Sequence, residues 1–235
     1  MEATAERVTL FKLGGSLLEL PDLSARLLSV FSLRPDSRLL LIVGGGAATD
    51  CVRQWDAIHH LESETAHWLA IRAMALNERL IELLLPDAVV VTNRPGAETA
   101  WRTGRLPILG CFEFLRTEEG EVSLDARLPR TWDVTSDSIA AWVARRWPAD
   151  ELVLVKSCDP PAADERGGVD PLFATTVAGL PRIGWVNLRD RTPTIRAATL
   201  DTFSRDSEAL RRGARRNQPE GASPRFPRIA RQTGG

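Results

Sequence analysis

Lysine is almost missing from this chain. Lys12 and Lys156 are the only two among 30 basic residues, and every other cation is arginine. A GC-rich coding sequence accounts for that bias, which makes each retained lysine a position to explain. Cysteine and histidine are scarce too. Cys51, Cys111 and Cys158 are widely spaced, odd in number and form no C-x-x-C pair, which argues against a disulfide framework and for a reducing, cytoplasmic setting. His59, His60 and His67 are the only histidines. With no H-E-x-x-H and no Cys/His cluster, no metal site built from protein ligands is expected. No apolar run approaches the ~20 residues of a membrane helix. The opening MEATAERVTLF has no basic segment followed by a long apolar core, so it does not read as a secretory signal. A net charge of −1 supplies no global field to draw nucleic acid or an anionic membrane. A small molecule is the partner that remains.

What is present reads as alternating strands and helices. VTLFKL (8–13) is a buried strand closed by Gly14-Gly15, and PDLSARLLSVF has helical spacing. RLLLIV (38–43) is a second buried strand, closed by Gly44-Gly45-Gly46. Helices are expected over about 47–58 and 62–84, the latter striped by Trp68, Leu69, Arg72, Leu76, Leu80 and Leu83. AVVV (88–91), PILGCFEFL (107–115), ELVLVKS (151–157) and RIGWVNL (182–188) read as strands, and SDSIAAWVARRW (136–147) and DPLFATTVAGL (170–180) as helices. The alternation predicts a layered α/β domain with a mostly parallel sheet, whose ligands bind at the carboxyl ends of the strands. Both glycine clusters and Lys156 fall at such ends. One domain is expected over 1–204, with a larger half to about 149 and a short half over about 150–204. Residues 205–235 read as a disordered basic tail, seven arginines against one acid from Arg211 onward. A solvated tail and an anion-binding arm both fit it.

KLGGS and IVGGGA each join a strand to a helix. Glycines let backbone approach a ligand closely, and helix starts offer free N–H groups to anions. Neither spacing is a P-loop or a G-x-G-x-x-G fingerprint, which disfavours an oxidoreductase built on a dinucleotide site. Phosphoryl transfer needs cations and N–H donors around the moving group. Lysine suits it as a compact point charge with three donors, where arginine is a planar fork. In WDVTSDSIAAW, Asp137 falls in a first helical turn behind Thr135 or Ser136 as N-cap. The helix dipole favours an acid there in any case. Asp50 could read an ammonium group or simply stabilise its helix. His67 could pack beside Trp68 or meet an acceptor phosphate. Trp55, Trp68, Trp101, Trp132 and Trp142 read as core rather than a stacking platform, since no basic patch is interleaved with them.

In that order, KLGGS, VGGGA and TSDSIAA resemble the amino acid kinase family, which includes acetylglutamate, aspartate, uridylate, carbamate and isopentenyl phosphate kinases. The resemblance covers roughly residues 8 to 190 in element order. It implies a three-layer α/β/α sandwich and ATP-dependent phosphoryl transfer, with Mg²⁺ arriving on ATP and assembly as homodimers or multiples of dimers. It implies that Lys12 and Lys156 stabilise the transferring phosphoryl group. Gly14, Gly15, Ser16, Gly44, Gly45 and Gly46 would hold that group and the acceptor, and Asp137 would organise the lysines. Ser157 and Asp159 fall in the nucleotide segment. There the family's T/K-x-D-G pattern has become KSCDPPAADERGGVDP, with Asp159 in the acid's place and the glycine missing. That departure leaves a non-catalytic ligand-binding protein of the same fold open. A narrower resemblance, in GGGAATDCVRQWD, AHWLAIRAM and WDVTSDSIAAW, points to the branch near the methanofuran-biosynthesis kinases that phosphorylate an aminomethylfuran-methanol phosphate.

Overall fold

The structure is a computed structural model that describes residues 7–161, 168–199 and 203. The expected tail, 205–235, lies outside the described residues. Seven strands form one sheet: β1 (Arg7–Leu13), β2 (Ser37–Val43), β3 (Ala88–Val91), β4 (Leu106–Leu109), β5 (Glu151–Lys156), β6 (Ile183–Asn187) and β7 (Arg196–Ala198). Their spatial order is β3-β4-β2-β1-β5-β6-β7, and every pairing is parallel except β6 with β7. The helices are α1 (Leu23–Phe31), α2 (Gly46–His59), α3 (Ser63–Leu84), α4 (Arg94–Arg102), α5 (Cys111–Glu118), α6 (Ser136–Arg146) and α7 (Phe173–Thr176).

Alternation along the buried central strands sorts the core into two layers. Leu10, Leu40, Ile42, Leu152 and Leu154 face a cluster that includes Phe114 of α5 and Ile139, Ala140 and Val143 of α6. Phe11, Leu13, Leu41, Val43, Val153 and Val155 face Leu23, Leu27 and Val30 of α1. The expected α/β/α sandwich is therefore the observed one. Period two also decides the chemistry. Lys12 shares the face of Leu10, and Lys156 shares the face of Leu152 and Leu154, so both lysines come out on the side that α6 covers. In register, Lys12 lies beside Leu154.

Several local expectations are corrected. The strand expected over 107–115 stops at Leu109, and the chain turns helical at Cys111. Gly110 precedes the change, and the Glu78 carboxylate accepts the Cys111 N–H (3.0 Å), satisfying a donor that a helix start leaves orphaned. The helix expected over 170–180 shrinks to Phe173–Thr176, with Gly179 at φ +89° soon after it. Helix α4 is too polar to stand out by hydropathy; Asn93 caps it by accepting the Gly96 N–H, with a proline in its first turn. Strand β7, three residues long, is too short to show a pattern. The stripe expected on α3 is the wrong face. Leu76 and Leu83 are 70% and 82% exposed, whereas the buried row is Ala66, His67, Ala70, Ile71, Met74, Asn77, Glu78 and Ile81. Trp142 is core as expected, but Trp55 is about half exposed.

Burial is the largest influence on Glu78, and it pushes the carboxyl up to about 7, against the pull of the Cys111 N–H. A raised carboxyl makes folding progressively less favourable as pH climbs from the unfolded value of about 4.5 to about 7, and the full cost persists above that. Glu78→Gln keeps an acceptor for Cys111 without the buried charge. It should therefore stabilise the fold by about 3 kcal/mol at pH 8 and by nothing below pH 4; denaturant titrations at the two pH values check this.

Candidate active site

The first glycine turn leaves β1 and the second leaves β2, side by side at the carboxyl ends of the sheet. They are packed backbone to backbone. A Cβ on Gly15 would sit 2.1 Å from the Gly46 nitrogen, so only glycine fits there. Gly46 has φ +47°, and a Cβ on it would lie 2.7 Å from the Gly15 carbonyl oxygen. Asn77 of α3, 6% exposed, donates to the carbonyls of Gly44 (2.8 Å) and Gly45 (2.7 Å) and pins the second turn from beneath. Gly14 donates its N–H to Val155 and Gly44 donates to Leu13, both at 2.8 Å. These two glycines therefore extend the sheet. Gly15, Gly45 and Gly46, at the starts of helical turns, retain the N–H groups available to an anion.

Beside the turns lies a buried three-body charge cluster. Lys12, 3% exposed, places Nζ 2.7 Å from Asp137 Oδ1. Lys156 donates to Oδ1 and Oδ2 of the same carboxylate, both at 2.7 Å. Burial tends to raise the Asp137 carboxyl, but the two ammonium groups outweigh it and hold it below the usual carboxylate range. Lys156 goes the other way. Burial and then the charge of Lys12 bring it down to about 8, against the pull of Asp137 and Asp170. The cluster carries one net positive charge at neutral pH, in a site largely shielded from water.

Asp137 is held by a residue that the sequence reading missed. Asp170, 7% exposed, sits in the loop before α7 and accepts from the N–H (2.9 Å) and hydroxyl (2.8 Å) of Thr135. It also accepts from the Ser138 N–H (3.0 Å), the Ser138 hydroxyl and the Leu172 N–H. Thr135 in turn caps α6 by accepting the Asp137 N–H. A distant carboxylate thus fixes the helix start that carries Asp137. No spacing in the sequence points to it. Asn77 did leave a signal, as a polar residue on the helical row between Met74 and Ile81.

The remaining expected residues divide. Ser16 and Ser157 meet, hydroxyl to hydroxyl at 3.2 Å, joining the first glycine turn to the end of β5. Asp159 does not reach the lysines. It pairs with Arg196 (2.9 Å) and accepts from Asn187 (3.4 Å) near the sheet edge. Asp50 lies at the mouth of a pocket of about 120 Å³ that opens beside Gly45 and Gly46. Arg53, His67 and Trp132 also line it, against an apolar wall that includes Ile71 and Met74. Trp132 is thus a pocket residue rather than core. Its Nε1 donates to Asp56 of α2 (2.7 Å), and the Arg53 guanidinium lies 5.0 Å from its ring. Among the described residues no group of three His, Cys, Asp or Glu could hold a metal ion, and no helix is long and apolar enough to cross a membrane.

With this geometry in hand, residues 7–160, well over half the chain, match the model described as "Amino acid kinase family". Among solved structures, the chain is similar to UMP kinase from Ureaplasma parvum, with 12% identity and a TM-score of 0.54. That match covers 80% of this chain and 92% of the other, and at such identity it is a likeness of fold. Uridylate kinase from Archaeoglobus fulgidus also matches, at 20% identity and a TM-score of 0.47, over 68% of each chain. No curated protein matches.

Replacing Asp137 by Asn leaves two buried ammonium groups facing each other. A loss of about 3–5 kcal/mol is expected at pH 7, and less at pH 9.5, where Lys156 has shed its proton and relieved the repulsion. Denaturant unfolding at both pH values measures it; a loss under about 1 kcal/mol at pH 7 would show that the three charges are not coupled.

Proposed function

The chain belongs to the amino acid kinase family, and we propose that it is an ATP-dependent kinase that moves a phosphoryl group onto a small phosphate monoester or carboxylate. The observation that carries this reading is the pair of lysines locked on Asp137 beside two interlocked glycine turns. A transferring phosphoryl group spreads negative charge over its equatorial oxygens and asks a protein chiefly for placed cations and N–H donors. Lys12, Lys156 and the N–H groups of Gly15, Gly45 and Gly46 are of that kind. Asp137 does no proton chemistry in this scheme. It holds both ammonium groups at fixed positions, so no reorganisation is needed as charge develops. A phosphate or carboxylate acceptor is already an anion at neutral pH and needs no general base. ATP with Mg²⁺ supplies the phosphoryl group, and magnesium held mainly by phosphate oxygens fits a site with no carboxylate cage among the described residues.

The pocket beside Gly45 and Gly46 is where the acceptor belongs in this reading. Arg53 and Asp50, paired with each other at 3.4 Å, suit an anionic and an ammonium group in turn, and Trp132 suits a flat ring, so an aminomethylfuran-methanol phosphate of methanofuran-type biosynthesis finds a counterpart for each of its parts. One observation favours a second reading, a ligand-binding protein without catalysis: the Asp159 carboxylate, expected near the nucleotide, is engaged by Arg196 and Asn187.

ATP consumption against a panel of small phosphates and carboxylates, for wild type and Lys12→Ala, separates these. Loss of one buried cation at the transferring group should lower kcat by about 100-fold or more. Unchanged turnover in the variant would sink the mechanism, and absence of ATP binding by wild type would favour the second reading. The pH profile is a separate check. In the free chain Lys156 carries its charge below about 8, so kcat/KM should fall with loss of one proton as pH rises through that value. A flat profile from pH 7 to 9.5 would count against Lys156 as a catalytic cation.

A further inference from the structure

Two buried polar atoms in the acceptor pocket have no hydrogen-bond partner among the described residues: His67 Nε2 and Thr49 Oγ1. Each such orphan normally costs free energy, which makes the pair a place where something is missing. His67 is 4% exposed. Its ring bonds to the Thr131 backbone in the sense that favours a ring N–H donating to the carbonyl. Because Nε2 is the unpartnered nitrogen, we assign that proton to Nδ1, which leaves Nε2 a lone pair. Burial, and then the nearby charge of Arg130, hold the imidazole down at about 4, so it stays neutral in ordinary conditions and cannot grip an anion by charge. Thr49 is orphaned because its usual acceptor is taken. A helical threonine usually turns its hydroxyl to the carbonyl four residues back. That carbonyl, on Gly45, already accepts from Asn77 and from the Thr49 N–H.

We infer that the acceptor carries a hydrogen-bond donor, a hydroxyl or an amine N–H, which docks on the lone pair of His67 Nε2 with Thr49 Oγ1 as a second contact, so that His67 selects donor-bearing acceptors over their apolar analogues. This rests on the reading of the pocket as the acceptor site. It also reverses the alternative that His67 meets the acceptor's phosphate. The anionic end of the molecule is left to Arg53 and to the glycine turns. The apolar wall of Ala70, Ile71, Met74 and Ile139 takes the body between them.

Calorimetric titration of the full chain, without ATP, with 4-(hydroxymethyl)benzyl phosphate and with 4-methylbenzyl phosphate tests the inference. The probes have the same anion and ring and differ in one donor. Wild type should bind the hydroxymethyl probe about tenfold or more tightly than the methyl probe. His67→Phe should bind the two alike. His67→Gln, whose amide oxygen can accept, should recover part of the preference, and Thr49→Val should weaken it if the phenylalanine variant does not fold. Equal binding of the two probes by wild type, binding of neither, or a preference that survives in His67→Phe would overturn the inference. A preference found in a chain that never turns over ATP would leave the inference standing and remove the kinase proposal. Turnover of both probes with equal kcat/KM would do the opposite.

Discussion

One buried carboxylate holding two ammonium groups is the interaction on which the rest of this site depends. Taking three charges out of water is expensive, and the fold meets that cost with close geometry and with hydrogen bonds around the cluster. Almost every element contributes. β1 and β5 bring the lysines up on one face of the sheet, α6 brings its first turn over them, and Asp170 and Thr135 hold that turn in place. The arginine-rich composition makes the exception understandable. An ammonium group is compact enough for two to share one carboxylate while keeping donors for a third party. Two planar guanidinium forks would fill the carboxylate's edges and leave little directed elsewhere.

The pocket beside the second glycine turn is built on a different principle. The charge cluster is over-determined, whereas the pocket leaves groups unsatisfied: a neutral histidine with a free lone pair and a threonine whose usual acceptor is occupied. The two regions share the second glycine turn. Asn77 supports it from α3, the same helix that offers His67 to the pocket nearly three turns earlier in its own buried row. Helix α3 is therefore both the floor of the second glycine turn and a wall of the pocket. This explains why its buried face carries polar residues at positions where a purely structural helix would have leucine.

Much of the fold was legible because the central strands are continuous apolar runs ended by glycine, a pattern few alternatives share. Lys12, the glycine turns, Asp137 and Lys156 were legible as local motifs, and the alternation along β1 and β5 sends both lysines toward α6. Asp170 was not legible, because its role depends on a loop folding back over 32 residues to reach Ser138. The face of α3 was misread because large apolar residues were counted and small ones were not. Alanines at 66 and 70 are buried, while Leu76 and Leu83 point outward. Hydropathy weighs side chains one at a time, and packing depends on what can be brought near.

The contact between Gly15 and Gly46 has a mechanical consequence. With no side chain between them there is nothing that can rotate out of the way, so neither turn can advance on the other without meeting its backbone. Gly15 opens the short helical turn after β1, and Gly46 opens α2, which forms one side of the acceptor pocket. A push on either turn toward the seam is thereby passed directly to the other. It is the absence of two side chains that makes the contact rigid.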